Sequence, residues 1–397
     1  MTVIVVSGPA ATRDTETTTV SAAVEVGGAA HSLWYRLPGV VEAPPADAFL
    51  AAALLPAMQE GERLDLAGPV SPRLLAAMST IQDVFHAWNP DWRKIPVGAP
   101  LGEVDRPQPE RGAACFFTAG VDSFYTLLKH RDEISGLVFV HGFDVALTDH
   151  AMRATASKAM KRVAIAFRKP LIEVETNLRE FADRYVSWDY YHGAALASVA
   201  LLLASRFARM YVASTRSYAG LIPMGSHPLL DPLWSTEHIE IVHDGCEAAR
   251  VDKVAAVARC DLALTTLRVC WENPAGAYNC GRCEKCLRTM VDLRIADALD
   301  RCTTFSRRLD LRAVSRMPVG RRAGYLEESL RAVERLGTDP ALAGAIRAAL
   351  LRDRRHRPLG RFWSLGRRAG RRLRGVLGSW KRRTTPLMSR IRGGRRR

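Results

Sequence analysis

The chain has 397 residues, 48% of them hydrophobic and 25% charged, a globular composition with room for two or three domains and a full hydrophobic core. Its formal net charge of +16 is concentrated at one end: residues 351–397 hold 18 Lys/Arg and one acid, Asp353. The other 39 basic and 40 acidic residues leave 1–350 at a net charge of −1, so the basicity is no property of the folded part. The longest charge-free apolar stretch, Gly193–Ser205, falls short of the roughly 20 residues that a membrane helix needs.

The opening residues MTVIVVSGPAATRD have a four-residue apolar run and no basic flank, so no signal peptide is expected. Residues 1–105 are predicted to form a small α/β unit. Its strands are Val3–Val6, Thr17–Val26 and His31–Leu37, and its helices Ala46–Met58 and Pro72–Trp88. No chemical motif falls there. The polar stretch Asp105–Gly112, with two prolines, is predicted to separate this unit from a domain over 111–305. Strand and helix then alternate. The strands are Ala114–Thr118, Leu137–Phe143, Leu171–Val174 and Met210–Ser214; the helices are Ser123–His130, Asp149–Phe167 and His192–Arg209. This pattern implies an α/β fold, a parallel sheet with helices on both faces and its site at the carboxyl ends of the strands. A helical extension follows over 306–352, clearest at Glu327–Leu336 and Pro340–Leu351, and then a basic tail over 353–397.

The first chemical signal is Cys115–Leu128, C-F-F-T-A-G-V-D-S-F-Y-T-L-L. A strand ends in Thr118-Ala119-Gly120-Val121-Asp122-Ser123, and a helix begins at once. Such a turn presents backbone N–H groups and a positive helix end to an anion. The Thr118 and Ser123 hydroxyls add donors, and Asp122 can hold a phosphate-bound Mg²⁺. The Gly-Lys-Ser/Thr ending of a Walker A loop is missing.

The second signal is Cys270, Cys280, Cys283 and Cys286, spaced C-x9-C-x2-C-x2-C. Four thiolates so close suit a closed, tetrahedral, structural Zn²⁺ site. The C-x2-C-x2-C part also fits iron–sulfur ligation. A disulfide framework does not suit this spacing, which points to the reducing cytoplasm. Cys115 is expected to be a buried strand residue, and Cys246, Cys260 and Cys302 have no ligand-like spacing.

Thr118–Ser123 resembles the S-G-G-x-D-S signature of the PP-loop ATP pyrophosphatases, which cleave ATP to AMP and pyrophosphate. Thr118 keeps the hydroxyl of the first Ser. Ala119 departs, placing a methyl where glycine would let the backbone approach phosphate and adopt φ > 0. With the cysteine cluster about 150 residues later, the pattern is similar to the 7-cyano-7-deazaguanine synthase family over about residues 111–292. The resemblance implies an adenine nucleotide alpha hydrolase-like domain that binds ATP and Mg²⁺ over Thr118–Ser123. It also implies a zinc site bracing the domain's C-terminal end. The implied reaction is an AMP-forming ligation, with a small-molecule or peptidyl carboxylate or carbonyl adenylated for attack by a nitrogen nucleophile. Lys253 matches a family lysine that contacts the ATP phosphates, with Arg250 three residues before it on one helix face. Catalytic work falls to Asp122, Ser123 and Lys253.

Other candidates follow from position. Ser214 and Thr215 come at a predicted strand end, where ligands bind. The long loop Gly225–Glu237 offers His227, Asp231, Ser235 and Thr236 to substrate or phosphate, or is a Pro-ordered surface loop around Trp234. His192-Gly193, opening a helix, either contacts nucleotide or packs. In the tail, Phe362, Leu365, Ala369, Leu373, Val376 and Trp380 recur at spacings of 3 and 4 with arginines opposite, a basic amphipathic helix over 361–383. It suits the anionic inner face of a membrane. RNA phosphate is the competing partner, and a disordered tail without fixed role the bland reading. Two other functions stay open: a PP-loop RNA sulfurtransferase with tRNA on the tail, and a degenerate, membrane-associated nucleotide-binding scaffold.

Overall fold

The computed structural model describes residues 3–41, 45–103, 111–274 and 276–355. The chain opens with β1 (Val3–Val6), β2 (Ala10–Arg13), β3 (Thr17–Val26), β4 (Ala29–Pro38), α1 (Ala46–Glu60), β5 (Arg63–Leu66), α2 (Pro72–Trp88) and β6 (Val97–Gly98). Then come β7 (Ala113–Phe116), α3 (Val121–Lys129), β8 (Ile134–His141), α4 (His150–Phe167), β9 (Leu171–Thr176), α5 (Leu178–Ala182), α6 (Trp188–Leu202), β10 (Arg209–Ala213) and β11 (Glu240–Asp244). The helices α7 (Arg250–Val257), α8 (Asp261–Thr266) and α9 (Glu284–Ile295) complete a compact unit over Met1–Asp310. A second unit begins at Leu311. It holds α10 (Leu311–Arg316), α11 (Ala323–Leu336) and a helix over 340–355.

The described strands form one sheet in the order β11-β10-β7-β8-β9-β4-β3-β1-β5-β6, with β2 on β3. From β11 to β9 all neighbours are parallel. Counted from β7, these five strands lie in the order 5-4-1-2-3, so the chain reverses direction across the sheet between β7 and β10. Every residue of β7 is buried, as are 136–141 of β8. Strands with no solvent face read as continuous apolar runs because helices cover both sides.

The segment 1–105 is not set apart as the sequence led one to expect. β4 pairs antiparallel with β9 through Tyr35↔Thr176 and Arg36↔Glu175, so its strands continue the parallel sheet. Thr176 Oγ1 donates to the Trp34 carbonyl at 2.8 Å, and Trp34 N–H donates to Asn177 Oδ1 at 3.0 Å. α1 and α6 pack on each other, and Tyr191 Oη donates to the Ala52 carbonyl at 2.8 Å. Both helices are apolar nearly all round, the pattern of a helix covered on every side. Glu237 adds a polar tie, accepting from Ser71 Oγ at 2.5 Å and Arg73 N–H at 2.8 Å. Residues 104–110, most of the expected boundary, lie outside the described residues.

Element limits differ most at the helix expected over His192–Arg209, which runs from Trp188 to Leu202. Extended Ser187 starts it, ahead of a Trp/Tyr cluster that reads poorly as helix, and turns at 203–207 release the chain into β10. β2, β5, β6 and β11 were not among the expected strands, since their short mixed sequences lack the apolar run of the equally short β1. Among the described residues no helix is long and apolar enough to cross a membrane. The amphipathic segment 361–383 lies outside the described residues.

Candidate functional site

Open parallel sheets leave a crevice at the carboxyl ends of the strands where the order reverses. Here that point lies between β7 and β10, and the turn after β7 carries Thr118–Ser123. Gly120, extended at φ −78° and ψ 165°, precedes α3. Ser123 Oγ folds back to donate to the Gly120 carbonyl at 3.1 Å, and it accepts from Thr118 N–H at 3.3 Å. Ala119 sits at φ +53°, the left-handed conformation in which a side chain is disfavoured. It is fully buried, and its carbonyl accepts from Arg268 N–H at 2.9 Å.

A cavity of about 270 Å³ opens over this turn. Its lining includes Thr118, Gly120, Asp122, Ser123, Arg250, Arg268 and Lys285 together with the apolar Val138, Val140, Phe143, Trp188, Leu196 and Val212. Arg250, Arg268 and Lys285 share the lining with three carboxylates, Asp122, Asp144 and Asp189, so the cavity offers cations and metal-holding oxygens beside apolar surface for a flat body.

The Asp122 carboxylate takes both its oxygens to Arg250 Nη1, at 3.0 and 2.9 Å. Burial would raise its pKa, but Arg250, then Lys253, Lys285 and Arg288, hold it below the usual carboxylate range. Arg250 is 2% exposed, and its Nη2 donates to Thr289 Oγ1 at 3.3 Å, tying α7 to α9. The two groups expected to serve Mg²⁺ and pyrophosphate thus neutralise each other.

Lys253 lies further back. Its ammonium is buried, donates to the Ser214 carbonyl at 2.6 Å and stands 5.6 Å from the Tyr125 ring centre. Burial lowers its pKa, with Asp122 pulling the other way. Of the sequence candidates, Thr118, Gly120, Val121, Asp122, Ser123, Thr215 and Arg250 line this cavity, and Ala119, Ser214 and Lys253 do not. Sequence reading passed over Arg268 and Lys285. Lys285 lies inside the C-E-K-C run and Arg268 two residues before Cys270, so the cysteines themselves were the available signal.

His192 also lines the cavity, with both ring nitrogens engaged. Nδ1 donates to the Trp188 carbonyl at 3.0 Å and Nε2 accepts from Ser226 N–H at 3.3 Å, which fixes the tautomer. Burial lowers its pKa and keeps the ring neutral. Its neighbour Gly193 is required by contact: a Cβ there would lie 2.0 Å from the Gly225 carbonyl oxygen. The Gly225–Glu237 loop spends its polar side chains internally. Asp231 accepts from Ser226 Oγ at 2.6 Å, the Thr236 hydroxyl accepts from His238 and Ile239 N–H, and Ser235 Oγ accepts from Ile241 N–H. His227 packs edge-on against Trp88.

The four cysteines converge, with Cys270, Cys280, Cys283 and Cys286 placing their sulfurs within 4.8 Å of one another. Cys280 and Cys286 sulfurs are 3.8 Å apart. A tetrahedron of 2.3 Å metal–sulfur bonds has edges of about 3.8 Å, so the set fits a metal such as zinc. Cys283 N–H donates to the Cys280 sulfur at 3.2 Å, across a turn at Gly281. Burial pushes the Cys280 thiol up, and Cys286 is pushed up by its hydrogen bond with Cys283 and then by burial. Four thiols held this close do not all ionise without a cation among them. The cluster borders the cavity through Cys270, and Asn279 Oδ1 braces the loop by accepting from Val269 and Cys270 N–H. Comparison with protein-family models, curated proteins and solved structures finds no match to this chain.

Proposed function

We propose that the protein is an ATP-dependent, AMP-forming enzyme that adenylates a carboxylate or carbonyl for attack by a nitrogen nucleophile. The observation that carries this reading is the placement of the Thr118–Ser123 turn at the point of strand reversal, over a cavity whose lining also includes Asp122, Arg250, Arg268 and Lys285. The phosphates lie against the turn, and the base and acceptor lie along the apolar wall. Asp122 would hold a phosphate-bound Mg²⁺, which supplies charge neutralisation. The Asp122–Arg250 pair is then the resting arrangement, and its guanidinium turns to phosphate when nucleotide arrives. Arg268 and Lys285 neutralise the leaving pyrophosphate, and buried Lys253 holds the end of β10 and adds positive potential. The cysteine cluster takes zinc as a closed, structural site, bracing the loop with Arg268 and the helix start with Lys285.

Isothermal titration with ATP and Mg²⁺, with Asp122→Asn as control and elemental analysis of the same sample, tests the reading. Micromolar binding lost in the variant, with one zinc per chain, is the expected result. A second reading, a nucleotide-fold scaffold at a membrane surface, is favoured by the buried methyl of Ala119 in the phosphate turn. Zinc without nucleotide binding would select it. Iron in place of zinc would select RNA sulfur transfer.

A further inference from the structure

A second chamber of about 80 Å³ adjoins the larger cavity, sharing His192, Leu196, Val212, Ala213 and Thr215 with it. Ser214, Arg216, Ser226 and His243 are also on its wall. Among the described residues no carboxylate lines it, whereas Asp122, Asp144 and Asp189 line the larger cavity.

The His243 ring, on β11, is set by its neighbour. Nδ1 lies 2.7 Å from Asp231 Oδ2, and the two side chains are 4% and 2% exposed. Asp231 also accepts from Ser226 Oγ at 2.6 Å and from His227 N–H at 3.3 Å. Three donors on one carboxylate stabilise its ionised form and keep a proton on Nδ1. With Nδ1 committed, Nε2 is the nitrogen that the ring can offer to the chamber, and it is buried and makes no hydrogen bond. Burial would lower the pKa of the ring, but Asp231 raises it to about 9, so at neutral pH Nε2 carries a proton too. A buried donor left without an acceptor is costly and points to an occupant beside it.

The rest of the wall selects that occupant. Arg216 is 6% exposed and brings a second positive charge, its Nη1 held by the Gly220 carbonyl at 3.0 Å. The Lys253 ammonium lies behind Ser214, donating to its carbonyl. Asp231 and His243 are neutral as a pair, so the excess charge at the chamber is positive and an amine or ammonium would meet repulsion. Leu196, Val212, Ala213, Leu221 and Met224 make the remaining wall apolar. That mixture suits a carboxylate on a short carbon chain better than the more strongly hydrated phosphate.

We propose that the small chamber is a carboxylate subsite, in which His243 Nε2–H, held by Asp231, donates to a carboxylate oxygen and Arg216 supplies the countercharge. Because it shares five residues with the larger cavity, it takes the carboxylate of a short acceptor whose body continues into that cavity. That the carboxylate belongs to the acceptor rests on the ligase reading; that the chamber binds a carboxylate does not.

The test is binding of isotope-labelled acetate to the full-length protein without nucleotide, read by NMR line broadening, with acetamide and inorganic phosphate as competitors. Acetate should bind saturably, about tenfold or more tighter than either competitor. His243→Asn should weaken it about tenfold or more. Ala213→Leu, which fills the chamber from β10 and leaves the Asp231–His243 pair in place, should do the same. In the unaltered protein, absent saturable binding, or displacement by acetamide or phosphate as effective as by unlabelled acetate, overturns the proposal. Unchanged affinity in either variant with a native circular dichroism spectrum overturns it as well. No nucleotide is present, so failure here leaves the ATP titration standing, and failure of that titration leaves this result standing.

Discussion

The Ala119 methyl is held in a left-handed turn, where an L-residue costs about 1–2 kcal/mol. Ala119→Gly should therefore stabilise the fold by about 0.5–1 kcal/mol, net of glycine's greater freedom when unfolded, measured by urea denaturation. At the ion pair the effect is opposite. Arg250→Met leaves a carboxylate buried without its partner and should cost about 3–5 kcal/mol, and adding Asp122→Asn should recover part of that. The His243 imidazole gives a pH signature. Burial would lower its pKa, but the Asp231 carboxylate 2.7 Å from Nδ1 raises it to about 9. A folded value above the unfolded one near 6.5 means that this stabilisation is complete below about pH 6.5 and is lost as pH rises through 9. Thermal melting from pH 6 to 10 should show that decline, flattened in Asp231→Asn. The phosphate turn and the cysteines were legible in the sequence because each is a run of near neighbours. The Asp122–Arg250 and Asp231–His243 pairs join residues from separate segments, and no local pattern encodes those distances.

Among elements, α9 and the loop before it depend on the cysteine cluster. Cys283 precedes the helix, Cys286 sits in its first turn, and Cys270 anchors the segment that carries Arg268. Removing the metal with a chelator should release 267–286 before the sheet unfolds. Limited proteolysis should then cut within 271–282 while the β-sheet circular dichroism signal persists; simultaneous loss of both would refute this order. The elements most visible in the sequence were those with long periods or clear stops. α2 matches its expected limits because Ser71 caps it, accepting from Leu74 N–H at 3.0 Å, and Pro72 begins it. α4 begins after Asp149 for the same reason, through a 3.1 Å bond from Met152 N–H. α6 was harder to delimit, since a helix buried on every side has no polar stripe to mark its phase.

For the Met1–Asp310 unit as a whole, the sheet makes the first hundred residues part of the structure that carries the candidate site. Residues 111–310 expressed alone should aggregate or stay partly unfolded, because β9 would lose its neighbour β4 and α6 its apolar partner α1. Sedimentation and heteronuclear NMR of that fragment would check it, and a monodisperse, folded fragment would refute it. The polar, Pro-containing stretch Asp105–Gly112 suggested separation, but composition alone does not tell a linker between domains from a connection within one. The seam has a consequence in time. α1 is complete at residue 60, while α6, which covers it, is complete only at residue 202, roughly 140 residues later. At about 5–20 residues per second, that apolar helix leaves the ribosome about 7–30 s before its cover is made. For that interval the nascent chain is a substrate for chaperones, and slower elongation between the codons for residues 60 and 202 lengthens its exposure.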